Sequence, residues 1–571
     1  MAQLTRNLLS VTALGLALAA QPAAAQIVGT AGDPPPGTVF DAPMGADAPS
    51  DDGEQRSSPR SERARVDVSP YLEVGQVLSA ELTGNGDVFT YSTVAVGADA
   101  SIATRDTQLG ASVRYERRIR WDDDIGDENV WSGLIRGRHD IAQGFALEGG
   151  ALATRTSIDG RGGGGLFVGG RDNTADLFSV YVGPTFGRRY GDLEVGAAYR
   201  LGYSRAEVRQ DVVLPTGARR LGTFGESTNH ALIASVGMRP DTLLPVGWRI
   251  SGGLEREDSD PLDTRYRGEH VRLDLTYPVT PTVALVGGVG YENITLSQRP
   301  PVLDANGVPV LDARGRYVTD QSQPRQIAFD TDGLIWDAGV LWRPSRRMSL
   351  EARVGRRYGD TTFTGSWQWQ PNENSAWGLS VYDRFSTVGR QLSNALAVLP
   401  TEFDIYRNPI DGSFNGCLFG GVNSSCLANT AGNLSGFGFR NRGALFSVST
   451  REGPWSYAAA VGYDNRRYEL QQIAAFADLN GVTDESWYAF ISASRPLDSR
   501  TSFAASMYGN WFDSGLAGDF DSFAMGGTAA VSRSFAQRLT GTAAVAVNAI
   551  DQDGFNTRVF GSALLGLRYG F

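Results

Sequence analysis

Three stretches set charged side chains at every second position. Arg114, Glu116, Arg118 and Arg120 alternate through LGASVRYERRIRW (109–121); Glu351, Arg353 and Arg357 share one parity of MSLEARVGRRY (348–358); Arg272 and Asp274 make a shorter set. Opposed charges at that spacing can line an aqueous path and set its field, or they can pair and brace an interior. Catalysis has a thinner basis. His139, His230 and His270 are scattered, with no HExxH pair and no nucleophile elbow, so no catalytic residue is assigned and the chain is not read as an enzyme. GRGGGG (160–165) overlaps a dinucleotide fingerprint but sits between two strand patterns with no helix after it, which makes it a loop. The acidic runs DDDIGDEN (122–129) and EREDSDPLD (255–263) offer oxygen ligands for calcium or magnesium, and equally the composition of a solvated loop. Cys417 and Cys426 stand close together in NGCLFGGVNSSC. A disulfide there would stabilise the loop by about 2–3 kcal/mol, whereas a metal would need further ligands and the histidines are far away in sequence. No cofactor or metal is implied.

The elements that carry these charges read as strands. In 109–121 the odd positions are Leu, Ala, Val, Tyr, Arg, Ile and Trp, and the even ones Gly, Ser, Arg, Glu, Arg and Arg. A helix would scatter those residues around its circumference; a two-faced strand sorts them. The same template finds 22 segments, beginning near residues 66, 88, 108, 130, 145, 175, 192, 229, 246, 267, 282, 333, 347, 362, 375, 442, 455, 485, 501, 520, 539 and 557. Every second connection is short (TRDT, DIAQG, RRYGD, RPDTLLP, YPVTP, RPSRR, QPNEN, REGP, RPLDS, SFAQR), and most of the others are long, including 159–174, 207–228, 297–332 and 389–441. Short turns at one end and long loops at the other mark a membrane β-barrel. The expected fold is all-β: one large antiparallel transmembrane barrel of about 22 strands, 20–24, over residues 66–571. A secreted array of β-sandwiches is the alternative. GRRYGD occurs twice, at 187–192 and 355–360, and the strand count puts its copies at opposite ends.

Composition agrees. The chain has 571 residues, 70 glycines, 11 tryptophans and no lysine, so its 52 basic residues are all arginine. A net charge of -11 argues against a nucleic-acid partner. Residues 1–25 carry one charge, Arg6, then an apolar run closing on Ala23-Ala24-Ala25, the pattern of a signal peptide cleaved between Ala25 and Gln26. Residues 26–65, with Pro34-Pro35-Pro36 and DAPMGADAPSDD, have little to bury and read as a disordered periplasmic leader. After residue 25 no apolar run is long enough for a helical span, so a membrane crossing must use strands. The tryptophans lie in or beside strands, many near an end, as interfacial girdles do. The chain closes on SALLGLRYGF, with Tyr569 and Phe571 on one face.

Several stretches resemble a family of uncharacterised alphaproteobacterial outer-membrane β-barrel proteins: VSPYLEVGQVLSAEL (68–82), YERRIRWDDDI (115–125), ALATRTS (151–157), DGLIWDAGVLWRPSRR (332–347) and the terminal SALLGLRYGF. The second half also looks like barrels associated with the PEP-CTERM/exosortase export system. The resemblance implies the outer membrane of a Gram-negative bacterium, lipid and lipopolysaccharide as surroundings, and delivery by periplasmic chaperones. The barrel-assembly machinery would then read Tyr569 and Phe571 as its C-terminal signal. No catalytic residues come with it. Relatives sometimes carry the label of preprotein translocase subunit YajC, a small one-helix protein, which this chain fits in neither length nor anchor. A lipid-facing arginine would cost about 2–4 kcal/mol at the midplane, so the alternating charges are expected to face the lumen. The function expected is a passive or gated channel, connected with envelope or exopolysaccharide export. The alternative is a structural or surface-interaction barrel filled by its own loops. QLSNALAVLP (391–400), too apolar for a free loop, is expected to fold into the mouth and narrow it.

Overall fold

The computed structural model describes residues 64–571 except 84–85, 87, 122–126, 158–173, 209–223, 261, 313–315, 402, 411, 413, 420–424, 427–434, 474–475, 477–478, 516–520 and 554–555. The signal segment with Ala23, Ala25 and Gln26, nearly all of the leader, and GRGGGG lie outside the described residues.

The strands are β1 Arg65–Glu81, β2 Val88–Ala103, β3 Thr107–Arg120, β4 Glu128–Ala142, β5 Phe145–Ser157, β6 Thr174–Tyr190, β7 Leu193–Val208, β8 Glu226–Met238, β9 Gly247–Ser259, β10 Thr264–Pro278, β11 Val283–Gln298 and β12 Gln326–Ser345. They continue as β13 Met348–Arg357, β14 Asp360–Asn372, β15 Ser375–Ser386, β16 Asp404–Arg407, β17 Phe414–Phe419, β18 Ser425–Cys426, β19 Gly438–Glu452, β20 Trp455–Glu469, β21 Thr483–Pro496, β22 Thr501–Asp513, β23 Ser522–Ala536, β24 Leu539–Gln552 and β25 Arg558–Gly570. One helix, α1, spans Val388–Ala397. Twenty-two strands pair antiparallel in chain order, and β1 pairs with β25 from Tyr71↔Gly570 to Glu81↔Phe560, so the sheet closes on itself. β16–β18 form a separate small sheet inside the β15–β19 connection.

Closure leaves no edge strand and satisfies the backbone within the ladder, the condition for crossing lipid. Outward rows are apolar and exposed: Leu72 and Val74 on β1, Val94 and Val96 on β2, Val271 and Leu275 on β10, Val545 and Val547 on β24. So much exposed hydrocarbon is stable only against lipid. Aromatics mark both margins. Tyr115 packs on Trp131 at 4.7 Å and Tyr463 on Trp487 at 4.6 Å near the long-loop rim; Trp369 meets Trp377 at 5.8 Å near the short-turn rim. Both ends of the barrel sheet lie at the short-turn rim, where the Phe571 amide donates to the Pro70 carbonyl at 3.0 Å.

The two GRRYGD copies turn at opposite rims and one residue out of step, at Gly191-Asp192 in the first and Tyr358-Gly359 in the second. Each reverses the chain in two residues, with Gly191 at φ 61° and Gly359 at φ 75°. A tight turn is a local property; which rim it occupies depends on the number of strands before it. The run 255–263 is not the open loop expected for it. Its first five residues finish β9, and two of its aspartates are held by arginines: Asp258 by Arg256 (2.7 Å) and Arg265 (2.5 Å), and Asp263 by Arg299 (2.8 Å) and Arg325.

Candidate functional site: the lumen wall and its internal strap

Arg114, Glu116, Arg118 and Arg120 share the inward parity of β3, and the first three are buried. They belong to a chain of ion pairs running from β1 to β6. Glu73 meets Arg114 at 3.0 Å, Arg114 meets Glu116 at 2.5 Å, and Glu116 meets Arg118 at 2.6 Å. Glu128 then gathers Arg118 at 3.6 Å, Arg120 at 3.8 Å and Arg155 at 2.7 Å, and Arg155 ends on Asp176 at 2.9 Å. A second belt crosses β10 to β13. Arg272 bridges Asp274 (2.9 Å) and Asp337 (2.6 Å), while Arg353 reaches Asp274 (3.1 Å), Asp337 (3.0 Å) and Glu351 (2.5 Å); Arg357 pairs with Glu292. Gly288 makes room for this belt, since a Cβ there would stand 1.9 Å from the Arg272 guanidinium. Every charge of the three alternating sets has an opposite partner, the arrangement that braces a wall.

The connection from β15 to β19 does not stay outside. All ten residues of α1 are buried within the barrel, against β5 to β9. Its N-terminal end lies by β9, where the Thr387 hydroxyl donates to Glu257 and Arg390 pairs with Glu255 while stacking over Tyr266 at 3.7 Å. Its C-terminal end lies by β4, where Arg136 donates from Nε to the Leu399 carbonyl and from Nη2 to the Ala397 carbonyl, both at 3.2 Å. Acid at the start and guanidinium at the end both complement the helix dipole. Between them Ser393 donates to Asn229 at 3.2 Å, and Arg200 donates to Asn394 at 3.2 Å. The approach is close enough that a Cβ on Gly202 would lie 2.4 Å from the Ser393 hydroxyl.

Past α1 the strap continues along the wall. Arg407 donates to Ser132 at 2.6 Å and to Ser112 at 3.0 Å, and Ile410 packs with Val77, Tyr91, Ala544, Ala546 and Leu564. The segment therefore follows the inside of the barrel from β9 through β1 to β24. Above it the long loops close together. Phe224, Leu262, Tyr317, Phe437, Leu470, Phe476 and Leu479, from five connections, join Leu392, Leu396 and Leu399 in one buried apolar cluster. The expectation that 391–400 enters and narrows the mouth describes this geometry, and the strap reaches further than expected.

Arg136, Arg155, Asp337 and Glu292 were not singled out from sequence, and Glu128, read only as part of the acidic run 122–129, instead begins β4 as the buried partner of Arg118, Arg120 and Arg155. A signal for the strap's footprint existed: Leu134, Leu152, Leu177 and Tyr181 are apolar residues on the inward face, all nearly inaccessible. Hydrophobic side chains on a wet face require something to cover them. The backbones of Cys417 and Cys426 stand directly opposite in the β17–β18 register. Among the described residues no group of three or more His, Cys, Asp or Glu could hold a metal ion.

No family model matches the chain, and no curated protein matches it. Among solved structures it is similar to the FrpB iron transporter from Neisseria meningitidis, at 10% identity and TM-score 0.44 over 88% of this chain and 83% of that one. It is also similar to the ferric-catecholate import receptor Fiu from E. coli in its open form (11%, TM-score 0.43, 90% and 82%) and to the siderophore receptor PiuA from Acinetobacter baumannii (8%, TM-score 0.43, 88% and 82%). The fold assignment rests on the closed 22-strand ladder itself.

Proposed function

We propose that the protein is an outer-membrane channel of a Gram-negative bacterium, closed at rest by its own 387–437 strap and opened by displacing it. The observation that carries this reading is the manner in which α1 is held. Its hydrogen bonds to the wall run through side chains at both ends, and its covalent ties are only to β15 and β19. Such contacts can be exchanged for water, whereas a barrel strand cannot leave its ladder without exposing backbone to lipid. Export through a signal peptide cut after Ala25, assembly directed by Tyr569 and Phe571, and surroundings of lipid and lipopolysaccharide belong to the same reading, as does a link to envelope export.

A second reading has a specific observation behind it. The apolar cluster joining α1 to four other outer connections makes a cap with its own core, as a structural or surface-interaction barrel would need. Planar-bilayer recording separates the two. Purified wild-type protein should be closed for most of the recording, and deletion of 405–430 should raise its conductance. A folded deletion variant as silent as the wild type would refute the channel and leave the structural barrel.

A further inference from the structure

We infer that the short-turn rim from β12 to β24 binds the phosphodiester headgroups of anionic phospholipid. Charge is distributed unequally between the rims. Several exposed arginines at the long-loop rim are neutralised by the chain itself: Arg117 by Asp127 (2.7 Å), Arg205 by Glu207 (2.7 Å) and Arg256 by Asp258 (2.7 Å). At the short-turn rim Arg346, Arg347, Arg495, Arg500, Arg533 and Arg538 have no carboxylate within ion-pair distance among the described residues, and all but Arg495 are exposed. The acids in these short turns, Glu373, Glu452 and Asp498, are outnumbered by the arginines. Asp498 spends its carboxylate on the amides of Arg500 (2.7 Å) and Thr501 (2.9 Å).

These arginines are interleaved with membrane-margin aromatics. Arg495 lies over Trp455 at 5.0 Å, Trp455 meets Phe503 edge-on at 6.4 Å, and Arg533 shares the outward row of β23 with Val531 and the exposed Phe535. A guanidinium on an apolar stem, directly below hydrocarbon-facing residues and beside an indole, sits where lipid phosphates lie. Its planar fork suits a phosphate oxygen pair, and successive short turns, two strands apart, stand about 10 Å from one another. An acidic soluble protein would need the charge but not the aromatic row.

The test uses full-length protein refolded into phosphatidylcholine bilayers, with tryptophan fluorescence quenched by brominated phosphatidylglycerol or brominated phosphatidylcholine. The wild type should prefer phosphatidylglycerol by about tenfold, a preference that falls as sodium chloride is added. Combined Arg495→Gln, Arg500→Gln, Arg533→Gln and Arg538→Gln should abolish it, while Arg256→Gln should leave it intact. Heat-shifted mobility on gels reports that each variant is folded; if the combined variant is not, Arg500→Gln and Arg533→Gln singly should each lower the preference about twofold. Equal quenching by the two lipids, or a preference that survives the substitutions, overturns the inference. So does salt-sensitive binding of polyglutamate without lipid preference, which would point to a soluble acidic partner. Failure of the wild type to insert at all would instead sink the membrane reading on which this one rests.

Discussion

Arg136→Met should unlatch α1. The substitution keeps an apolar stem of similar length in a nearly closed site and removes the guanidinium that serves the Ala397 and Leu399 carbonyls at 3.2 Å each. Both bonds are charge-assisted but long, so each is taken near the low end, about 1.5 kcal/mol. Their joint loss, about 3 kcal/mol, shifts the balance between seated and displaced strap roughly a hundredfold. Glu148, which Arg136 also contacts at 2.8 Å, keeps Arg138 at 2.7 Å, so the wall itself retains its pairing. Single-channel recording in planar bilayers is the assay: open probability should rise by one to two orders of magnitude. Arg138→Met is the control, because Arg138 bonds Glu148 and Asp140 and makes no bond to the strap. If the two variants gate alike, or if Arg136→Met matches the wild type while folded, the latch reasoning is wrong.

Three further outcomes are expected. Glu128→Ala removes the shared partner of Arg118, Arg120 and Arg155, and should cost about 3 kcal/mol in urea-titrated gel mobility of the refolded barrel, since buried cations lose compensation; a loss under about 1 kcal/mol would contradict the bracing role. The opposed Cα positions of Cys417 and Cys426 suit a disulfide, so alkylation of denatured protein should label neither cysteine until a reductant is added. In the β11–β12 loop, backbone amides hold the Asp304 carboxyl below the ordinary aspartate range, chiefly that of Val308, and the Ser322 hydroxyl and amide do the same for Asp320. A depressed folded-state pKa stabilises these turns above the unfolded value and is lost as pH falls through the folded one. Amide protection of Val308 and Ser322, corrected for intrinsic exchange, should therefore persist at pH 5 and fade as the pH falls below the ordinary aspartate range; protection unchanged at pH 2 would count against the Asx turns.

How much of the site could be read in advance differs between its two parts. The alternating charges could be placed on one face without knowing any contact, because parity is a local property of a strand: Arg114 and Glu116 share a side whatever lies across from them. Their partners could not be placed. Glu73, Glu128 and Asp337 come from other strands, and the pairing Arg272–Asp337 spans two ladder registers that no single segment specifies. Arg136 stands on the same face as Leu134, whose apolar side chain breaks the polar parity of that strand. That break is the imprint of α1, and it has meaning only once the helix is seated there.

Strand number, strand parity and the division into short-turn and long-loop ends all follow from the order of residues, since each depends on neighbours along the chain and on lipid demanding one apolar face. What folding in three dimensions decided is the use of the interior. The segment 387–437 between β15 and β19 has no local rule telling it to enter the barrel rather than extend above it. It enters because Glu255, Glu257, Asn229, Arg200 and Arg136, spread over four strands, converge on one helix only after the ring has closed.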